Sequence, residues 1–262
     1  MQAHVARVTI FPVKSCDGRS YDSATVLASG ALQHDRQFAL VDSSDRFMTA
    51  KRTPLMHRLR LQVDPLKRTF DVSQRDGSFP LSGELDQQGE QLSDWLTEYF
   101  SQDISIVEND TTGFPDDTDS NGPTIVSTAT LNVVSEWFGG LPLDEVRNRF
   151  RASIEIDGVE PFWEDRLVLR EGEVQPFLMG DVLFGGTNPC QRCVVPTRDS
   201  QSGTVTPPAF AVTFGKQREA TLPAWATRER YDHFYRLATN TRLLNLGSGR
   251  IRVGDPVRLV DA

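Results

Sequence analysis

At 262 residues the chain is long enough to bury one large core or two modest ones without staples, and two domains in close contact are expected. Hydrophobic residues at 38% and charged residues at 24% are ordinary for a soluble globular protein, and no run approaches the ~20 apolar residues that span a bilayer. A formal charge of −8 argues against broad affinity for nucleic acid or anionic membrane, so an anionic ligand must be held by a local basic cluster.

The opening MQAHVARVTIFPVKS has no basic segment leading into an unbroken apolar stretch, as a signal peptide would, and Pro12 and Lys14 interrupt it. Three cysteines, two of them close in sequence, do not make a disulfide framework. Both features point to the cytoplasm. HVARVTIFPV alternates as a strand through Val5, Val8 and Ile10 and ends at Pro12. QFALVDSSDRFMTA reads as two strands joined at Asp42–Asp45, and RLRLQV and TFDVS alternate with period two. A helix is expected in QQGEQLSDWLTEYF, with Leu92, Trp95, Leu96, Tyr99 and Phe100 on one face, followed by the strand ISIVE. ENDTTGFPDDTDSNGP, residues 108–123, is acidic and rich in turn formers, and marks a domain boundary.

Beyond it, TLNVVSEWFGG predicts a helix capped by Thr130 and stopped at Gly139 and Gly140. RASIEIDG, RLVLREG, DVLFGG, CVVPT and RIRVGDPVRLV all have strand character. The spacing of Tyr231, Phe234, Tyr235 and Leu237 suggests helix within 216–240. The fold class is therefore mostly β with some helix (α+β), the second half forming a barrel or curled sheet.

NPCQRCVVPTRDSQSG, residues 188–203, poses the chemical question. Cys190 and Cys193 have the spacing of a redox dithiol, but Val194, Val195 and Pro196 are poor material for the helix such a motif opens. A structural zinc site needs four ligands, and only Cys16 and the isolated His4, His34, His57 and His233 could complete one. Two small, half-buried residues at a strand end is the third reading. Elsewhere Lys14 and Ser15 follow a strand, Asp35 and Arg36 precede another, and Arg149 and Arg151 flank Phe150. A lysine point charge, a loop serine and arginine forks are the donors that bind phosphate.

In chain order, PVKSC (12–16), HDRQFALVD (34–42), MTAKRTPLM (48–56), RNRFRASIEIDG (147–158), GDVLFGG (180–186), the cysteine segment and IRVGDPVRL (251–259) resemble the MOSC proteins. The family is named for the C-terminal domain of molybdenum-cofactor sulfurase. The chain is most similar to the branch with an added N-terminal β-barrel-like domain, which includes the mitochondrial amidoxime-reducing component and its bacterial relatives. That resemblance implies an N-terminal β-rich domain over 1–115 and a MOSC β-barrel over 122–260. It implies a molybdenum–molybdopterin cofactor with Cys193 as the protein thiolate on the metal and Cys190 as a neighbour. Lys14, Ser15, Arg36 and Arg151 would hold phosphate and pterin, Arg192 would sit beside the metal, and Ser127 to Thr130 would supply hydroxyl and backbone contacts, Ser127 and Thr128 foremost. Family members often carry F-G-Q-[NY] where this chain reads ATNTRLL (238–244), and some continue into a ferredoxin-like domain for which this chain has no cysteines.

The implied activity is reduction of N-hydroxylated compounds (amidoximes, hydroxylamines, N-hydroxylated bases) to the amine or amidine. Electrons would come from a separate ferredoxin, flavodoxin or cytochrome, since no G-x-G-x-x-G fingerprint is present. The alternative is a cofactor or sulfur carrier without reductase activity. Asp199, with the Glu164–Asp165 pair behind it, is the candidate proton donor. Arg192 and Arg198 could form a basic rim for an acidic donor protein.

Overall fold

The computed structural model describes residues 2–245 and 249–260. The first half runs β1 (His4–Ile10), β2 (Arg19–Tyr21), β3 (Ser23–Val26), β4 (Phe38–Asp42), α1 (Leu55–Arg58), β5 (Leu59–Asp64), β6 (Thr69–Gln74), β7 (Leu81–Glu84), α2 (Leu85–Phe100) and β8 (Ile104–Glu108). The second runs β9 (Ile125–Ser127), α3 (Thr128–Trp137), α4 (Leu143–Phe150), β10 (Ile154–Asp157), β11 (Gln175–Met179), β12 (Val182–Gln191), α5 (Phe210–Ala220), β13 (Arg236–Leu243), β14 (Gly249–Arg252) and β15 (Val257–Leu259). The fold is α+β and mostly strand.

Eight strands form one sheet in the order β15-β11-β12-β13-β9-β10-β1-β2. It curls until its ends meet: Val5 N donates to Asp255 O, Gly254 N to Val5 O and Val257 N to Ala3 O. Closure leaves few free edges to solvent. The interior takes Val8, Ile154, Phe177, Phe184 and Ile251, all inaccessible to solvent. Leu167 packs there too, and its carbonyl lies so close to Gly186 on β12 that any Cβ at 186 would strike it. The strands that open the chain thus belong to the barrel of the second half: β1 and β2 lie in its sheet and β3 pairs with β14.

Residues 38–108 build a second core. β5, β6 and β7 form a meander, β4 pairs with β8, and Leu92, Leu96 and Phe100 of α2 pack over them. A third cluster joins α3, α4 and α5 on the barrel's flank around Phe150, Phe210 and Phe214.

Five local expectations change. The second strand expected in QFALVDSSDRFMTA is a single bridge, Phe47 to Val41, after β4. RLVLREG is a 3-10 turn at Trp163–Leu167 followed by extended chain outside the sheet. CVVPT is also a 3-10 turn, at Val195–Thr197, because Pro196 cannot donate to a ladder. The cap of α3 is Ser127, whose Oγ accepts from Thr130 N at 3.1 Å. Residues 231–237 are not helical: the helix lies upstream as α5, and Arg236–Leu243 is the central strand β13. With Leu237, Ala238, Thr239 and Thr241 all buried, β13 is covered on both faces and shows no alternation.

Candidate functional site

A cleft of about 740 Å³ opens between the second core and the barrel. It is walled by the loops before β4 and after β1, the segment 112–124, the end of α4 and the outgoing end of β12. Ser15, Arg36, Arg151, Arg192, Cys190 and Cys193 line it. Ser15, Arg36 and Arg151 stand in left-handed backbone, at φ 67°, 50° and 53°. Such conformations cost a non-glycine residue free energy and cluster at binding sites. Arg151 gets there as the residue that ends α4, its N–H bonded to Arg147 O at 2.8 Å.

Phe11 is a shared platform. The Arg151 guanidinium lies 4.2 Å from its ring centroid and that of Arg36 5.8 Å. Arg36 pairs with Asp35, whose other oxygen accepts from Phe11 N at 2.9 Å. Among the described residues Arg151 has no hydrogen-bond partner on its guanidinium; burial, then the charge of Arg36, pulls its pKa down to about 10, so it remains cationic at neutral pH. Lys14 stands behind these groups, 6% exposed, and donates from Nζ to Asp116 Oδ1 at 2.5 Å and to Phe114 O at 2.9 Å. Burial draws its pKa below the usual lysine value against the pull of Asp116, with Arg36 and Arg151 deepening the drop.

The cysteines take different surroundings. β12 pairs with β13 irregularly between Gly186 and Asn188 and again between Pro189 and Gln191. Pro189 has no N–H for the ladder, and a bulge at that point re-aims the chain end that carries Cys190. Cys190 Sγ receives Arg192 Nη1 at 3.0 Å, and Arg192 Nη2 bonds to the Phe150 carbonyl. Arg192 therefore attends Cys190. Cys193, two residues past the strand, is exposed, and its Sγ faces only the Val195 N–H, at 3.5 Å. Cys16 is core, its thiol pushed up to about 12 by burial and by Asp17. No group of three or more His, Cys, Asp or Glu among the described residues could hold a metal, which removes the four-ligand zinc reading. The segment after Cys193 begins no long helix, which removes the main support for a thioredoxin-like dithiol.

The expected site residues Ser127, Thr128, Thr130, Asp199, Glu164 and Asp165 lie outside the cleft lining, as does Lys14 behind it. The Ser127 hydroxyl caps α3 and Thr128 Oγ1 donates to Glu155 at 2.8 Å. Asp199 accepts from Gln201 N, Ser202 N and Ser202 Oγ at 2.8–3.1 Å, which makes it a turn cap. Burial pulls its pKa up, but those bonds outweigh it and hold it below the ordinary aspartate value, so it has no proton to give. Asp165 is locked to Arg218 at 2.5 Å and Tyr231 at 2.9 Å. Conversely Asp116, Ser120, Asn121, Thr124 and Asn240 line the cleft unforeseen. The acidic run has the composition of a boundary, and Asn240 lies in β13, which shows no alternation.

Glu164 is 1% exposed, and neither carboxylate oxygen has a hydrogen-bond partner; the nearby Ser127 and Thr130 hydroxyls bond to each other at 2.7 Å. Burial, then Asp165, raises its pKa to about 7. An acid raised on folding contributes full stability below its ordinary value of 4.5 and loses it as pH climbs through about 7. The gap corresponds to ~3 kcal/mol. Denaturant titrations should show the wild type weakening from pH 5 to pH 8 and Glu164→Gln largely sparing that loss. Equal pH slopes in both proteins would contradict this assignment.

A model of the MOSC N-terminal beta barrel domain matches residues 2–103 and one of the MOSC domain matches residues 123–258. The chain belongs to the MOSC family. The MOSC protein is 28% identical over 235 residues to a molybdenum cofactor sulfurase of Drosophila grimshawi, covering 79% of this chain and 30% of that one. The namesake from Oryza sativa subsp. japonica is 24% identical over 250 residues, covering 77% and 29%, and that from Bos taurus 21% over 252, covering 78% and 28%. The MOSC protein spans less than a third of the length of these relatives. Among its described residues no helix is long and apolar enough to cross a membrane.

Proposed function

We propose that the cleft binds a molybdenum–pterin cofactor by its phosphate and that Cys193 is the single protein thiolate on the metal. The loaded protein is an oxidoreductase that reduces N-hydroxylated compounds with electrons from a separate donor. The carrying observation is one exposed thiol in the same ~740 Å³ cleft as an unpartnered guanidinium, that of Arg151. The donor set fits the cofactor. With no cluster of metal-ligating side chains among the described residues, the metal's other soft ligands would come with the group itself. Arg36 and Arg151 offer planar forks to a phosphate, Lys14 a point charge behind them, and Ser15 a short donor. The bound molybdenum would supply two-electron chemistry at an N–O bond, and the protein binds, orients and shields.

The N-hydroxy substrate class rests on the resemblance to the two-domain branch, from PVKSC through IRVGDPVRL. The names of the curated relatives favour a second reading, in which the cleft stores or hands on cofactor or sulfur. Turnover separates the two. Protein from a cofactor-competent host should be inert with NADH and an amidoxime and turn over with reduced viologen. Full cofactor loading without viologen-driven turnover would favour the carrier.

Charge removal tests the cradle. Arg151→Leu and Arg36→Leu should each lower pterin retention about tenfold, the loss of one charge-assisted bond, while the circular dichroism of the fold is kept. Full pterin content in both variants would remove these residues from the site.

A further inference from the structure

The cationic end of the cleft already holds an anion. Asp116, whose side chain is 81% exposed, reaches back to the buried Lys14 at 2.5 Å. Burial pulls its carboxyl upward, but Lys14, then Arg36, and also Arg151 together hold it below the ordinary aspartate range, so all three cations act on this one group. The chain that carries it is pinned on both sides. Upstream, Asn109 N bonds to Gln37 O at 2.8 Å and Phe114 N to Arg36 O at 2.8 Å, and Gly113 sits at φ 63° where a Cβ would strike Asp35 O. Downstream, Gly122 N bonds to Thr241 O at 2.9 Å and Thr241 Oγ1 to Pro123 O at 2.7 Å. Ser120, also buried, bonds through its hydroxyl to Thr187 Oγ1 at 2.9 Å, and between these anchors residues 115–119 hydrogen-bond to the body of the protein at Lys14 and, at 3.4 Å, from Asn240 Nδ2 to Asp117.

We propose that Asp116 is a built-in competitor anion, seated where a ligand phosphate belongs, which leaves on the 115–119 strap when a phosphate or pyrophosphate group enters. The inference rests on the anion-binding reading above. Three cations packed together repel one another, and a buried ammonium without a partner is costly. The carboxylate relieves that when no other anion is bound. Its exposed carboxylate returns to water without a desolvation cost of its own, and the entering phosphate keeps the buried Lys14 ammonium paired. Ligand and Asp116 then exclude each other on the same cations, and affinity is lowered by whatever the internal pair contributes.

The experiment is calorimetric titration of inorganic pyrophosphate into the full chain made in a host without the cofactor. Asp116→Asn and Asp116→Ala should both bind about fivefold more tightly than the wild type, with Asp117→Asn unchanged, and should lose thermal stability without pyrophosphate that its addition restores. Unchanged affinity in both Asp116 variants, with Arg151→Leu weakened, would overturn the competitor and leave the anion site standing. No binding by any of these proteins would overturn both.

Discussion

Cys193→Ser is expected to lower both molybdenum retention and turnover by roughly a hundredfold or more, since changes to groups merely supporting a metal ligand already cost 10- to 100-fold. Cys190→Ser is expected to keep both in large part. The asymmetry follows from the surroundings of two thiols three residues apart. Cys190 is engaged by the Arg192 guanidinium at 3.0 Å, beside the last ladder bonds of β12. Cys193 is exposed in the cleft wall, and its Sγ receives only a long bond from the Val195 N–H. A soft metal centre that brings its other sulfur ligands needs one reachable thiolate, and Cys193 is the one offered. Molybdenum analysis and viologen-driven assays of both variants check this. Equal losses would show that the two cysteines act as a pair.

Arg149→Met is expected to destabilise the fold by ~4 kcal/mol, the cost of breaking a buried ion pair from one side. The Arg149 side chain is 1% exposed and bonds to Glu145 at 2.6 Å, to Thr206 O at 2.5 Å and to Pro196 O at 3.4 Å. Glu145 in turn accepts from Ser200 N at 2.9 Å and from the Ser200 hydroxyl. One arginine thereby ties α4 to the segment 196–206 that follows Cys193, and its loss leaves a mostly buried carboxylate without a cation. The variant that remains folded should also hold cofactor poorly, because the segment positioning Cys193 loses its anchor. A shift in denaturation midpoint worth under about 1 kcal/mol, the range of surface pairs, would show the network to be ornamental.

What the sequence disclosed depends on whether a residue's job leaves a period or a spacing. α2 was readable because Leu92, Leu96 and Phe100 bury one stripe, and β5 and β6 because Leu61, Val63, Phe70 and Val72 alternate with solvent-facing neighbours. β13 was not, since burial on both faces erases alternation and Tyr231, Phe234 and Tyr235 mimic a helical face. The cations of the cleft were found as phosphate-binding residue types after or before strands, and Lys14, Arg36 and Arg151 do converge. Arg149, singled out beside Arg151, also lines the cleft, but its guanidinium is taken up by Glu145 and the Thr206 and Pro196 carbonyls. Ser127 and Asp199 stand outside the cleft lining, since a hydroxyl or carboxylate that caps a helix or turn looks in sequence like one that meets a ligand. The acidic run 116–119 has the composition of a linker, and only its path across Lys14 shows it to be part of the cleft wall.

The most direct measurement is X-ray absorption at the molybdenum edge on protein purified from a cofactor-competent host, with pterin assayed on the same samples. The expected result is about one molybdenum per chain in the wild type and in Cys190→Ser, and, in the residual molybdenum of Cys193→Ser, one sulfur neighbour fewer than in those two. Protein that carries pterin and molybdenum with an unchanged sulfur shell in Cys193→Ser, or that carries neither in any form, would contradict the assignment of this cleft and this thiolate.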